Sequence, residues 1–155
     1  MEQLKKWRRD LHQIPELGLQ EFQTATYIRR ELEKMGYQWE AVVETGTIVY
    51  IDYHQSTTIA FRSDIDALAI QEKNHIDFAS KIPGMMHACG HDGHMSALLG
   101  FARRLKENHS SLSCNVLLVF QPAEESPGAA AQVVESGVFE NYNVNEPTNF
   151  TSLIS

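Results

Sequence analysis

Two cysteines among 155 residues are too few for a disulfide framework. Cys89 sits among histidines and Cys114 opens an apolar run, so a bridge between them is not expected, and Cys114 is expected as a small core residue. No apolar stretch approaches the roughly 18 residues that a membrane span requires. The basic residues near the start (Lys5, Lys6, Arg8, Arg9) lead into no apolar run of the kind that marks a secretory signal. Positive charge is scarce. Thirteen Lys and Arg against twenty Asp and Glu leave a formal charge of -7, which argues against non-specific binding to nucleic acid or anionic membrane. The early basic residues alternate with Leu4, Trp7 and Leu11, as on the solvated face of a helix. No glycine-rich loop ends in Lys-Ser or Lys-Thr, which disfavours a phosphate-loop enzyme. No Cys-x-x-Cys pair is present, which counts against a structural zinc domain with four closed ligands. Repeats and low-complexity segments are missing as well. What remains is an ordinary soluble composition, 43% hydrophobic and 21% charged, in a chain about one domain long and expected in the cytoplasm.

Leu4, Trp7, Leu11 and Ile14 recur at helical spacing and predict an amphipathic helix stopped by Pro15. Phe22, Ala25, Ile28, Leu32 and Met35 predict a second, with Gly36 just past its end. Alternation and β-branching predict strands over Thr47 to Tyr53 and Thr57 to Arg62, and His54-Gln55-Ser56 between them suits a hairpin loop. Residues 71–88 are irregular, with Pro83-Gly84 as a turn. Met95, Leu98, Leu99, Ala102 and Leu105 predict a third helix with Asp92 near its start. Cys114 to Phe120 is apolar but for Asn115, as in a strand covered on both faces. Pro127 to Gly137 predicts a shorter helix. Helices alternating with strands indicate an α/β fold, a sheet sandwiched between helices in three layers, with ligands beyond the carboxyl ends of the strands. Asp64/Asp66, Cys89/His91 and Glu124/Glu125 all fall at places consistent with one such rim.

The densest chemistry lies in Met86-His87-Ala88-Cys89-Gly90-His91-Asp92-Gly93-His94. Thiolate and imidazole are ligands for divalent transition metals. Cys89 and His91 are two apart, so on a loop bent at Gly90 and Gly93 both can turn to one centre. Glu125 would complete a mixed S/N/O set that suits zinc or manganese, with cobalt and nickel also compatible. On a strand-like backbone its neighbour Glu124 points elsewhere, free to take a proton from an activated water and return it to a leaving amine. His87 and His94 are open between substrate contact, support of a ligand and surface. Asp64 is a candidate to steady a ligand imidazole, against the plainer role of capping a turn, and Asp92 is a second candidate for support. His12, His54, His75 and His109 belong to no constellation and default to structural or surface roles.

Four segments resemble motifs of the aminoacylase/carboxypeptidase-like metallopeptidases, in the branch of N-acyl-amino-acid amidohydrolases, hippurate hydrolases and auxin-conjugate hydrolases. They are Arg8 to Gly18, Phe61 to Leu68, Met86 to His94 and Phe120 to Glu125, in the family's order. The resemblance covers roughly residues 5–146, and the metal loop and glutamate motif carry most of its specificity. It implies a zinc-peptidase-like catalytic domain with two divalent ions per complete site. Cys89 would lie between the ions, His91 and Glu125 would be ligands, and Glu124 would be the general acid/base. It implies hydrolysis of a small N-acyl amino acid to a carboxylic acid and a free amino acid, with no other cofactor. Full-length members often form homodimers through a lid domain. Such members are more than twice this length and supply two further histidine ligands after the glutamate pair, whereas no histidine here follows His109. The expectation is therefore the first part of a catalytic domain over 1–146, a divergent tail over 147–155, and no lid. The alternative is an inactive remnant holding at most one metal. Ala69 stands where the family usually has proline, and Ser126-Pro127-Gly128-Ala129 replaces a more glycine-rich stretch.

Overall fold

The computed structural model of the chain describes residues 1–108 and 112–149. In chain order the elements are α1 (Glu2–His12), α2 (Phe22–Lys34), β1 (Glu40–Val42), β2 (Gly46–Ile51), β3 (Thr58–Asp64), α3 (His91–Glu107), β4 (Asn115–Gln121), α4 (Ala130–Glu135), α5 (Val138–Asn141) and β5 (Val144–Asn149). That run forms β4, whose seven residues are all buried, and Cys114 is left half-buried just ahead of it. Neither cysteine is in a disulfide.

The sheet order is β1-β2-β4-β3-β5. This corrects the expected hairpin, because β2 and β3 are not paired with each other. β4 lies between them, antiparallel to β2 and parallel to β3. The most apolar strand takes the slot where both of its edges are paired and both of its faces covered. The segment expected as a hairpin turn instead arches over the start of β4, where Asn115 fastens it. Asn115 Oδ1 accepts Tyr53 N–H at 2.9 Å and Gln55 N–H at 3.1 Å, and its Nδ2 donates to Gln55 O at 2.8 Å. β5 runs parallel to β3 and spans the point, between residues 146 and 147, where family-like sequence gives way to the divergent tail. Residues 150–155 of that tail, and His109, lie outside the described residues.

Alternating residues of β4 divide the core into the two halves of a three-layer α/β fold. Val116, Leu118 and Phe120 pack with Trp7, Leu11, Ile28, Leu32, Met95, Leu98 and Leu99 from α1, α2 and α3. Leu117 and Val119 face the other way, with Val133 and Val138 of α4 and α5. A fully buried side chain of this size is worth roughly 1.5–3 kcal/mol, and β4 contributes such side chains to both halves.

Within the first half Glu31 makes a buried polar contact. Trp7 Nε1 donates to Glu31 Oε2 at 2.9 Å, and Lys34 Nζ donates to Glu31 Oε1 at 2.7 Å. Burial alone would raise the Glu31 pKa, but these bonds outweigh it and hold the carboxyl below its ordinary 4.5. A carboxylate lowered on folding stabilises the fold above its unfolded pKa, and that contribution is lost as pH falls through the folded value. Urea unfolding at pH 7 and pH 3 is expected to show an acid loss that shrinks in Glu31→Gln by about 1–3 kcal/mol, the usual range for a charged hydrogen bond.

Candidate metal centre

Parallel pairing of β3 with β4 puts their carboxyl ends side by side, with Asp64 opposite Gln121. Ile65 N–H continues the ladder to Gln121 O at 3.0 Å. Chain leaving β3 carries Asp66, and chain leaving β4 carries Glu124 and Glu125. The third contribution is the start of α3, entered through Gly90 at φ +83, a backbone conformation that glycine adopts without strain. The three polar clusters legible in the sequence thus meet on one rim.

At that rim the Cys89 sulfur, a His91 nitrogen and a Glu125 oxygen all lie within 4.8 Å of one another. Asp66 organises them. His91 Nδ1 is 2.9 Å from Asp66 O and 3.2 Å from Asp66 Oδ1. A carbonyl oxygen only accepts, so Nδ1 carries the proton and Nε2 keeps its lone pair for a cation. The second Asp66 oxygen accepts Glu125 N–H at 2.9 Å and fixes the glutamate turn against the metal loop. Burial would raise the Asp66 carboxyl, but His91 and the two glutamate amides hold it below its usual value.

The donor set fits a divalent ion electrostatically. The Cys89 thiol is pushed up to about 11, first by its hydrogen bond to Glu125, then by burial and by the charges of Glu125, Glu124 and Asp66. Burial would lower His91, but Asp66 and Asp64 raise it. Crowded negative charge favours the protonated form of both groups, and a cation at the same point favours the deprotonated form that binds it. Cys89, Glu124 and Glu125 are exposed and His91 is buried, so the cluster is open to solvent.

Glu124 is not in the donor set, although its charge reaches the Cys89 thiol. The glutamate pair lies in a turn rather than on the strand-like backbone expected of it, because Ala123 adopts φ +47 directly after β4. Asp64, a candidate to steady a ligand, is ion-paired through Oδ1 to Arg62. The carboxylate that bonds His91 is Asp66. Asp64 Oδ2 stands 4.0 Å from His91 Nε2 and 3.9 Å from His94 Nδ1. Asp92 is fully buried and bonds no donor of the set. Its Oδ2 is 2.9 Å from His12 Nδ1 and accepts Arg8 Nε–H at 3.2 Å. His87 is buried, and burial pushes its imidazole down to about 4. His54 and His75 are exposed.

The opening motif, which carries no reactive group of the cluster, supports it from below. His12 bridges Asp92 to Glu72, whose Oε1 is 3.2 Å from His12 Nε2, and so ties α1 and the irregular segment to the start of α3. Glu16 O accepts Ala67 N–H at 2.8 Å, while the Glu16 carboxylate accepts Gln23 N–H and Thr24 N–H at the start of α2. Glu21 is completely buried, with Thr45 Oγ1 donating to one carboxylate oxygen at 2.7 Å and Ala123 N–H to the other at 2.8 Å. A Cβ on Gly18 would stand 2.1 Å from Ser126 O, so any larger residue would push the glutamate turn away. The only sequence signal for these roles is the unusual density of polar residues among the apolar positions of the motif.

Sulfur, nitrogen and carboxylate donors beyond the ends of parallel strands, with an uncommitted carboxylate beside them, define the class of metal-dependent hydrolases. Residues 60–151 match the profile of Peptidase family M20/M25/M40, and the chain belongs to that family. It is 48% identical over 146 residues to an uncharacterized hydrolase of Staphylococcus haemolyticus, covering 93% of this chain and 38% of that protein. Among solved structures it resembles the Bacillus subtilis YXEP protein, a dinuclear metal-binding peptidase of the M20 family. That match has TM-score 0.87 and 42% identity, over 94% of this chain and 41% of that one. An aminobenzoyl-glutamate utilization protein from Klebsiella pneumoniae aligns with TM-score 0.73 and 27% identity, over 94% of this chain and 42% of that one. The chain therefore spans about two-fifths of the length of the relatives it matches. Among the described residues no helix is long and apolar enough to cross a membrane.

Proposed function

We propose that this chain carries the ion-binding and proton-handling part of an amidohydrolase that cleaves small N-acyl amino acids to a carboxylic acid and a free amino acid. The observation that carries the reading is the convergence of Cys89, His91 and Glu125 with Glu124 beside them but outside the donor set. Zinc or manganese suits the three donors best, with cobalt and nickel compatible. A bound divalent ion supplies Lewis acidity to a carbonyl oxygen and makes a water more acidic. The protein residues do the rest. Cys89, His91 and Glu125 fix the ion's place, and Asp66 fixes the His91 tautomer. Glu124 accepts a proton from water as its oxygen adds to the carbonyl carbon, then delivers that proton to the amine nitrogen as the carbon–nitrogen bond breaks. A free thiol among the ligands suits a reducing compartment, and the cytoplasm is the proposed location.

A second reading is a remnant that binds one ion without turnover. It requires only the three donors that these residues bring together, Cys89, His91 and Glu125, and nothing from the rest of the relatives' length. Titrating the reduced chain with zinc or manganese while following N-acetyl- and N-benzoyl-amino acid hydrolysis separates the two. Stoichiometric binding with amino-acid release supports the amidohydrolase. Binding without release supports the remnant, and no binding under reducing conditions rejects both.

A further inference from the structure

Glu21 stands where three segments of chain meet, the start of α2, the turn between β1 and β2, and the turn after β4. It is the N-cap residue of α2, yet its side chain makes no capping bond there. That task falls to Glu16, whose carboxylate accepts Gln23 N–H at 3.1 Å and Thr24 N–H at 2.8 Å. The Glu21 carboxylate instead leaves its own helix and is completely buried, a costly place for an acid unless its oxygens are satisfied. Thr45 Oγ1 donates to one oxygen and Ala123 N–H to the other. The two turns that supply these donors also touch, since a Cβ on Gly46 would stand 2.9 Å from Pro122 Cδ.

What Glu21 grips is the strained point of the glutamate turn. Ala123 is buried at φ +47, a conformation that a Cβ disfavours. It directly precedes Glu124 and Glu125, so its backbone decides the direction in which both carboxylates leave β4. The Ala123 carbonyl is bonded only within the same turn, to Ala129 N–H at 2.8 Å. Beyond Ala123, Glu125 N–H is fastened to Asp66. Glu21 is the tether on the near side of the pair, as Asp66 is on the far side.

We propose that Glu21 is a positioning residue for the glutamate pair. By holding Ala123 in its left-handed turn, it aims Glu125 at Cys89 and His91 and sets Glu124 beside them. This rests on the proposed roles of Glu125 as an ion ligand and Glu124 as the proton carrier. The property that counts is the reach of an acceptor to Ala123 N–H, not negative charge. Residues that hold a ligand in place commonly change ion affinity by about 10–100-fold when replaced.

Two conservative variants separate reach from charge. Glu21→Gln loses the charge, but its oxygen still accepts Ala123 N–H while its amide donates to the Thr45 hydroxyl, which can accept as well as donate. Glu21→Asp keeps the charge and falls one methylene short. Zinc titration calorimetry on the reduced chain is expected to give Glu21→Gln the wild-type affinity and to find Glu21→Asp about tenfold or more weaker. In the ion-free chain, amide hydrogen exchange should quicken at Ala123 in Glu21→Asp alone, with Leu118 in the middle of β4 protected as in wild type. Zinc bound equally by Glu21→Asp and wild type, or weakened equally in both variants, overturns the proposal. So does a loss of protection shared by Ala123 and Leu118, which would make Glu21 a support of the whole fold. A wild-type chain that binds no zinc, or a Glu125→Ala variant that binds it as well as wild type, overturns instead the role given to Glu125. Faster exchange confined to Ala123 in Glu21→Asp would then still show that Glu21 holds the turn.

Discussion

Under the proposed function, Glu124→Gln is expected to lower N-acyl amino acid turnover by about 10²–10⁴-fold, the usual contribution of a positioned general acid/base. Glutamine keeps the shape and loses the exchangeable proton. Because Glu124 lies outside the donor set, ion affinity should stay at the wild-type value. The pairing of these two results is what distinguishes a proton carrier from a ligand. Isothermal titration beside an amino-acid release assay measures both, and a variant that loses ion and activity together would place Glu124 among the ligands.

The other large effect is expected at His91, which among the described residues belongs to two groups of convergent donors, one with Cys89 and Glu125 and one with Asp64 and His94. A four-ligand structural zinc site is worth about 10–16 kcal/mol, so one ligand carries roughly 3–4 kcal/mol, or about 10²–10³-fold in affinity. His91→Ala should therefore lower the affinity for zinc or manganese by that factor. The ion-free fold should lose only about 1–3 kcal/mol. Asp66 loses one partner but keeps Glu125 N–H. Denaturant unfolding in the presence of a chelator measures the second figure, and direct titration measures the first.

Much of this was legible in the sequence because its signals are local. Helical spacing marked α1, α2 and α3 to within a few residues, since burial of one face dictates it. The run from Cys114 to Phe120 announced a strand covered on both sides, and β4 is that strand. The order of strands was not legible. A short polar link between two alternating segments is compatible with a hairpin and with an arch over a third strand, and only the burial demanded by β4 decides between them. The short strand β1 and the one-turn helix α5 were also missed, being too brief to show a period. At the site, donor types and spacing pointed to Cys89, His91 and Glu125, and the donors of all three do converge. The choice of Asp66 rather than Asp64 as the partner of His91 depends on where the chain turns after β3, which spacing does not encode. Likewise nothing local links Glu21 to Ala123, because they are joined only by tertiary packing.

The bond between Glu21 and Ala123 spans 102 residues of sequence. Gly18 meets Ser126 across a similar interval. On a ribosome the opening arm emerges long before the segment that it underpins, and contacts so distant in sequence carry a heavy loop-closure cost in the order of folding events. The glutamate turn can therefore dock on the opening arm only once residues 123–126 have been made. Until then the nascent polypeptide holds its early acidic residue Glu21 ready, with the amide that will neutralise its isolation still to be synthesised.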